Sequence, residues 1–127
     1  MVSALLHSGV ATPDVFSELS AVLSQRSGLL LATAALVVVD IEHETVTFAT
    51  AGHPPPLLRL PDGEVRRLDS AHAPIIGVPG ARRVADIAPF PQGSKVVMYT
   101  DGLVERRDRR VDEGIDLAMS RVHAIED

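Results

Sequence analysis

Apolar residues recur along this chain with two different periods, and the switch between them marks its elements. Val2, Leu5 and Leu6 stand at helical spacing and stop before Gly9, which suits the left-handed close of a helix, so residues 2–7 read as a helix tail. Thr12 offers an N-cap, Pro13 costs nothing in a first turn, and Asp14 complements the helix dipole. Val15, Phe16, Leu19, Val22 and Leu23 then form one apolar stripe, predicting a helix from Thr12 to Arg26 that ends at Gly28. A near-continuous apolar run follows from Leu29 to Val39, with Thr33 inside it, rich in β-branched residues toward its end. Such a run predicts a strand buried on both faces and central to a sheet.

Shorter signals follow. The polar tetrad Glu42-His43-Glu44-Thr45 separates that strand from the alternating segment Val46 to Ala51, predicting a hairpin. Gly52-His53-Pro54-Pro55-Pro56 interrupts, and Leu57 to Leu60, Pro61-Asp62-Gly63 and Glu64 to Leu68 predict a second hairpin. Residues 69–82 read as an ordered loop anchored by Ile75, Ile76 and Val78. Arg83 to Ala88 and Lys95 to Thr100 are further strands, split by the Pro89-Phe90-Pro91-Gln92-Gly93 turn. Asp112 can cap a last helix carrying Ile115, Ala118, Met119, Val122 and Ile125. Helix, antiparallel strands, then helix is an α+β order.

Composition narrows what such a layout can do. With 127 residues, 46% of them hydrophobic, the chain is at most one globular domain. Its net charge of −5, from 17 acidic and 12 basic residues without a long basic block, argues against a nucleic-acid partner. Cysteine is absent, which removes thiolate nucleophiles and sulfur-ligated zinc and fits a reducing compartment. No apolar run approaches the ~20 residues of a membrane-spanning helix, and the N-terminus lacks the basic start of a secretory signal. The expectation is a cytoplasmic protein that needs no membrane.

Asp101 stands where the apolar strand from Lys95 stops, and Gly102 lets the backbone turn away behind it. A carboxylate so placed suits a hard divalent cation; equally, Thr-Asp-Gly can be a plain turn with the aspartate bonding its own backbone, which is the commoner case. His53, between Gly52 and three prolines, sits on a stiff extended backbone beside a glycine that permits close approach. It could meet a phosphate or simply pack over a sheet end. The run Arg106, Arg107, Arg109, Arg110, interleaved with Glu105 and Asp108, reads as a solvated surface more than a phosphate fork. His43 and His72 fall in polar loops without an assigned role, and neither a serine nucleophile elbow nor a P-loop is present.

Two longer stretches add to these single residues. Phe48-Ala49-Thr50-Ala51-Gly52-His53-Pro54-Pro55-Pro56-Leu57-Leu58 and Val97-Met98-Tyr99-Thr100-Asp101-Gly102-Leu103-Val104-Glu105-Arg106-Arg107 resemble the signature segments of the stage II sporulation protein E-type serine/threonine phosphatases. These form a branch of the metal-dependent protein phosphatase 2C (PPM-type) superfamily. The Pro-Asp-Gly hairpin, the Pro-Ile-Ile-Gly-Val loop and the Pro-Gln-Gly turn between them match in order, so the resemblance covers nearly the whole chain. It implies an antiparallel β-sandwich flanked by helices, two Mn²⁺ or Mg²⁺ ions held by aspartates, and hydrolysis of phosphoserine or phosphothreonine. The substrate it implies is a phosphorylated anti-anti-sigma-factor-like protein of stress or sporulation signalling. By motif position Asp101 becomes a metal ligand, with Gly102, His53 and Gly52 as the supporting loop and no catalytic residue assigned.

The resemblance also implies pieces that these residues lack. The family's first metal-binding aspartates lie in Gly-Asp motifs upstream of the helix that Met1 to Leu6 resembles, and an Asp-Asp pair leads into a closing edge strand after the last helix. Neither is present, and one aspartate cannot hold two ions. The expectation is therefore an incomplete phosphatase domain, inactive as an isolated chain. The alternative is a non-catalytic interaction module that self-associates through an exposed sheet edge.

Overall fold

The computed structural model describes residues 12–25, 31–78 and 80–126; the helix tail expected at residues 2–7 lies outside them. Helix α1 (Thr12–Ser24) is followed by β1 (Ala34–Asp40), β2 (Thr45–Ala51), β3 (Leu57–Arg59), β4 (Val65–Arg67), β5 (His72–Ala73), β6 (Asp86–Pro89) and β7 (Lys95–Val97). A single-turn helix α2 (Asp101–Val104) and the longer α3 (Val111–His123) close the chain. The α+β order read from the sequence stands.

The strands form two sheets. In the first, β2 pairs antiparallel with β1 on one side; on the other it pairs antiparallel with β6 and, at its far end, parallel with β5. The second is an antiparallel sheet in the order β4-β3-β7. Because side chains alternate across a strand, each sheet divides its residues between two different cores. Ala49, Ala51 and Leu36 pack under Val15 and Phe16 of α1. One residue earlier in register, Phe48 and its partner Val37 pack with Leu58, Leu68 and Val96 between the sheets. Leu57 and Val97, on the opposite face of the second sheet, pack with Ile115 and Val122 of α3. The result is four layers: helix, sheet, sheet, helix.

That layering corrects the expectation for the first strand. Among the described residues β1 pairs only with β2, and its last three residues, Val38 to Asp40, are exposed. The central positions fall to β2 and β3, which are covered on both faces and almost wholly buried. Apolar content alone did not distinguish them, because burial depends on which layers lie above and below. The strand expected at Arg83 to Ala88 begins later, at Asp86, and β7 ends at Val97 rather than at Thr100. Asp112 is not the cap of the last helix: Arg110 holds that position, its backbone N–H donating to Glu113 Oε2, and Asp112 lies in the first turn.

Turn chemistry matches the sequence closely. Asp62 Oδ1 accepts the Glu64 N–H at 2.9 Å, while Gly63 takes φ +91 and donates to the Leu60 carbonyl. The β3–β4 hairpin is tied to the end of α3, where His123 Nδ1 donates to the Gly63 carbonyl at 2.6 Å and the buried Arg59 donates to Ile125 O at 2.9 Å.

Candidate functional site

Strand register brings the two signature stretches together. The loop Gly52 to Pro56 carries the chain from the end of β2 in one sheet to the start of β3 in the other. Leu57, the first residue of β3, pairs with Val97, the last of β7. The segment running on from Val97 to Asp101 therefore rises beside the loop that carries His53. Gly52, His53 and Asp101 line one open cleft of about 510 Å³ at the end of the sandwich, together with Thr50, Arg67, Asp69, His72 and Asp112.

Gly52 is required by its surroundings. It has φ +60, a conformation that L side chains rarely adopt, and a Cβ there would overlap Ile75 Cγ2. Its N–H donates to the Ala73 carbonyl at 2.8 Å, so the loop is fixed to the short parallel strand β5. His53, half-buried, is held next. Its Nδ1 lies 2.9 Å from the Pro54 carbonyl, which can only accept, so Nδ1 is the donor and the ring orientation is fixed by the neighbouring backbone.

Asp101 opens α2 and is exposed. Its carbonyl accepts the Glu105 N–H at 2.7 Å. The short turn that the sequence allowed at Thr-Asp-Gly is thus a helical turn, which leaves the carboxylate at the helix start. Gly102 does not line the cleft, is not among the glycines with positive φ, and has room for a Cβ, with only Thr100 Oγ1 at 3.8 Å. The glycine that shapes this region is Gly114: a Cβ there would overlap the Val104 carbonyl, so α3 can cross directly over the end of α2.

Four polar residues of the cleft had no role in the sequence reading. His72 reaches it because β5 pairs with β2, placing His72 opposite Thr50, and its Nδ1 lies 3.0 Å from the buried Thr50 hydroxyl. Nothing in its polar loop context signals this, since the pairing joins residues more than twenty positions apart. Asp69 also lines the cleft. Arg67 is turned toward α3, where it pairs with Asp116, approaches Asp112 Oδ1 at 3.6 Å and contacts Met119 Sδ at 3.3 Å. It thereby joins the second sheet to the helix. Arg106, Arg107 and Arg110 between α2 and α3 are the solvated surface expected, with an Arg106–Asp108 pair at 3.3 Å between two exposed side chains, whereas Arg109 is half-buried and turned inward.

The cleft contains three carboxylates, but among the described residues no three His, Asp or Glu side chains gather closely enough to hold a metal ion. The described residues therefore do not by themselves fit the two-ion centre that the resemblance implies. No helix among them is long and apolar enough to cross a membrane.

A four-layer sandwich with these two segments meeting at one end defines a class of phosphatase-like domains, and comparison with known proteins agrees. The family model for stage II sporulation protein E matches residues 1–126, and the chain belongs to that family. It is similar to a structure of the RsbU and RsbW domains of a Mycobacterium tuberculosis protein, at 26% identity and a TM-score of 0.80, over 95% of this chain and 35% of that one. The phosphatase domain of the cell fate determinant SpoIIE from Bacillus subtilis, presoaked with Mn, shares its fold at 16% identity and a TM-score of 0.64. A second structure of that domain gives 15% and 0.61; in both, 99% of this chain covers 55% of the other. The chain thus spans about a third to a half of the solved chains it matches.

Proposed function

We propose that these residues form the central part of a PPM-type protein phosphatase domain that hydrolyses phosphoserine or phosphothreonine in sigma-factor signalling. The observation that carries this reading is the meeting of Gly52-His53 and Asp101 at one cleft, from two segments of different sheets. In this reading Asp101 is one ligand of a Mn²⁺ or Mg²⁺ centre whose other ligands lie outside the described residues, Gly52 and His53 belong to the supporting loop, and Gly102 follows Asp101 within the single turn of α2. The Mn presoak of the Bacillus subtilis domain and the presence of an RsbW domain beside RsbU in the Mycobacterium tuberculosis structure support a divalent metal and a regulatory protein partner. The substrate would be a phosphorylated anti-anti-sigma-factor-like protein. The 127 residues alone would be inactive, since Asp101 cannot hold two ions by itself.

The test has two arms. With a phosphoserine peptide and Mn²⁺, the full reading frame containing these residues should release phosphate, and Asp101→Asn should abolish that release. The 127-residue chain should release none. Absence of Mn²⁺-dependent release by the full frame would overturn the phosphatase reading, and release by the isolated chain would overturn its inactivity.

One observation favours a second reading, a module that associates through its sheet edge. Among the described residues the outer edge of β1 is unpaired, and it carries exposed Val38 and Val39 next to Ile41, which is 85% exposed. Concentration-dependent light scattering that disappears with Val39→Lys would support it; a monomer at every concentration would count against it.

A further inference from the structure

A second cavity lies on the other side of α2 from the cleft. It has a volume of about 280 Å³, opens to solvent on one side, and is lined by Leu57, Val97, Leu103, Leu117, Ala118 and Val122 together with Tyr99, Arg109 and Arg121. Its lining is almost entirely apolar, yet among the described residues two buried polar groups and one exposed arginine there have no partner. The Tyr99 hydroxyl and Arg109 Nε are shielded from solvent and make no hydrogen bond among the described residues. Arg121, in the last turn of α3, is exposed and no acidic side chain of the described residues pairs with it. Buried polar groups ordinarily find partners, so an apolar cavity bordered by the buried Arg109 Nε, a spare Tyr99 hydroxyl and the exposed Arg121 guanidinium at its rim lacks an acceptor.

We propose that this cavity binds a small amphipathic monocarboxylate, its apolar body among Leu57, Leu103, Ala118 and Val122 and its carboxylate at Arg109 and Arg121. All three unpartnered groups can donate, and both guanidinium groups can only donate, so the complement is an anionic acceptor. Burial raises the Tyr99 pKa, so at neutral pH its hydroxyl keeps the proton it would offer. The volume suits a body of about ten non-hydrogen atoms at the packing densities of ligand sites. Since Leu103 lines this cavity and Asp101 the cleft, an occupant here would rest against the same helical turn that presents Asp101.

The chain supplies its own reporter, because Tyr99 is its one tyrosine and tryptophan is absent. Octanoate titrated into the 127-residue protein, followed by tyrosine emission, should give a saturable change. 1-Octanol, which has the apolar body without the charge, should bind about fivefold or more weakly, as should octanoate to Arg121→Gln, while Arg121→Lys should retain most of the affinity. Arg121 is exposed, so these variants should keep the parent circular dichroism and melting temperature. A change that never saturates, equal binding of octanol and octanoate, or unaltered affinity in Arg121→Gln would each overturn the proposal. None of these readouts depends on phosphatase activity.

Discussion

Gly52 and Ile75 occupy adjoining space so tightly that only a glycine fits: a Cβ at position 52 would overlap Ile75 Cγ2, on a backbone already at φ +60. The contact joins the loop bearing His53 to the segment after β5, which are far apart in sequence and adjacent at the cleft. Gly52→Ala should therefore destabilise the protein by about 2–4 kcal/mol through overlap and backbone strain together. Adding Ile75→Ala should relieve the Cγ2 overlap, leaving Cβ and Cα at 3.2 and 3.3 Å and the backbone strain, so the pair should be non-additive by about 1–2 kcal/mol in a urea-unfolding cycle. Simple additivity would show that the contact is not a constraint.

Gly114 has a similar relation to the Val104 carbonyl, but here the neighbour is backbone and cannot rotate away. Alanine is ordinarily the better helix former by about 1 kcal/mol. Gly114→Ala should nevertheless lower stability, by about 1–3 kcal/mol net, because α3 must move off α2. Increased stability in chemical denaturation would mean that the helices have room to separate.

Asp101 should be dispensable for folding. Its side chain is exposed, and its structural bond is made by its backbone carbonyl. Asp101→Asn should shift stability by no more than about 0.5 kcal/mol. A loss several times larger would make the Asp101 carboxylate a folding element and weaken any role in the cleft.

Tyr99 predicts an alkaline limit. Burial disfavours the phenolate and raises the Tyr99 pKa above its ordinary value. A raised folded-state pKa contributes stability that is complete below the unfolded value, about pH 10, and is lost as pH rises through the folded one. Melting temperature should accordingly fall above about pH 10, and Tyr99→Phe should reduce that slope. At pH 7 the same variant should cost little or stabilise by up to about 1 kcal/mol, since the hydroxyl it deletes is buried without a partner among the described residues. An unchanged alkaline slope would assign the loss to other groups.

An acid counterpart comes from the first hairpin. Asp40 accepts bonds from the backbone N–H of His43 and from its ring Nδ1, at 3.0 and 2.8 Å, and these hold its carboxyl below the ordinary value. The turn should keep this support above about pH 4 and lose it as pH falls through the lowered pKa. Amide exchange in residues 41–44 should then accelerate at low pH in the parent and be nearly pH-independent, relative to intrinsic rates, in Asp40→Asn.

Local chemistry was legible in the sequence by itself. The α1 stripe, the Pro-Asp-Gly hairpin and the last helix follow from spacing and turn residues, because those signals act over a few positions. The two signature stretches also sufficed to name the family, since each carries its residue pattern along one continuous segment. Tertiary structure decided the rest. Which strand is central was settled by the layers above and below it, so among the described residues the most apolar run became a partly exposed edge and the alternating β2 became the buried centre. Likewise, His53, His72 and Asp101 share a cleft only because β2 pairs with β5 and β3 with β7. Those pairings close loops of tens of residues, and no short-range pattern records where a loop so long brings its ends together.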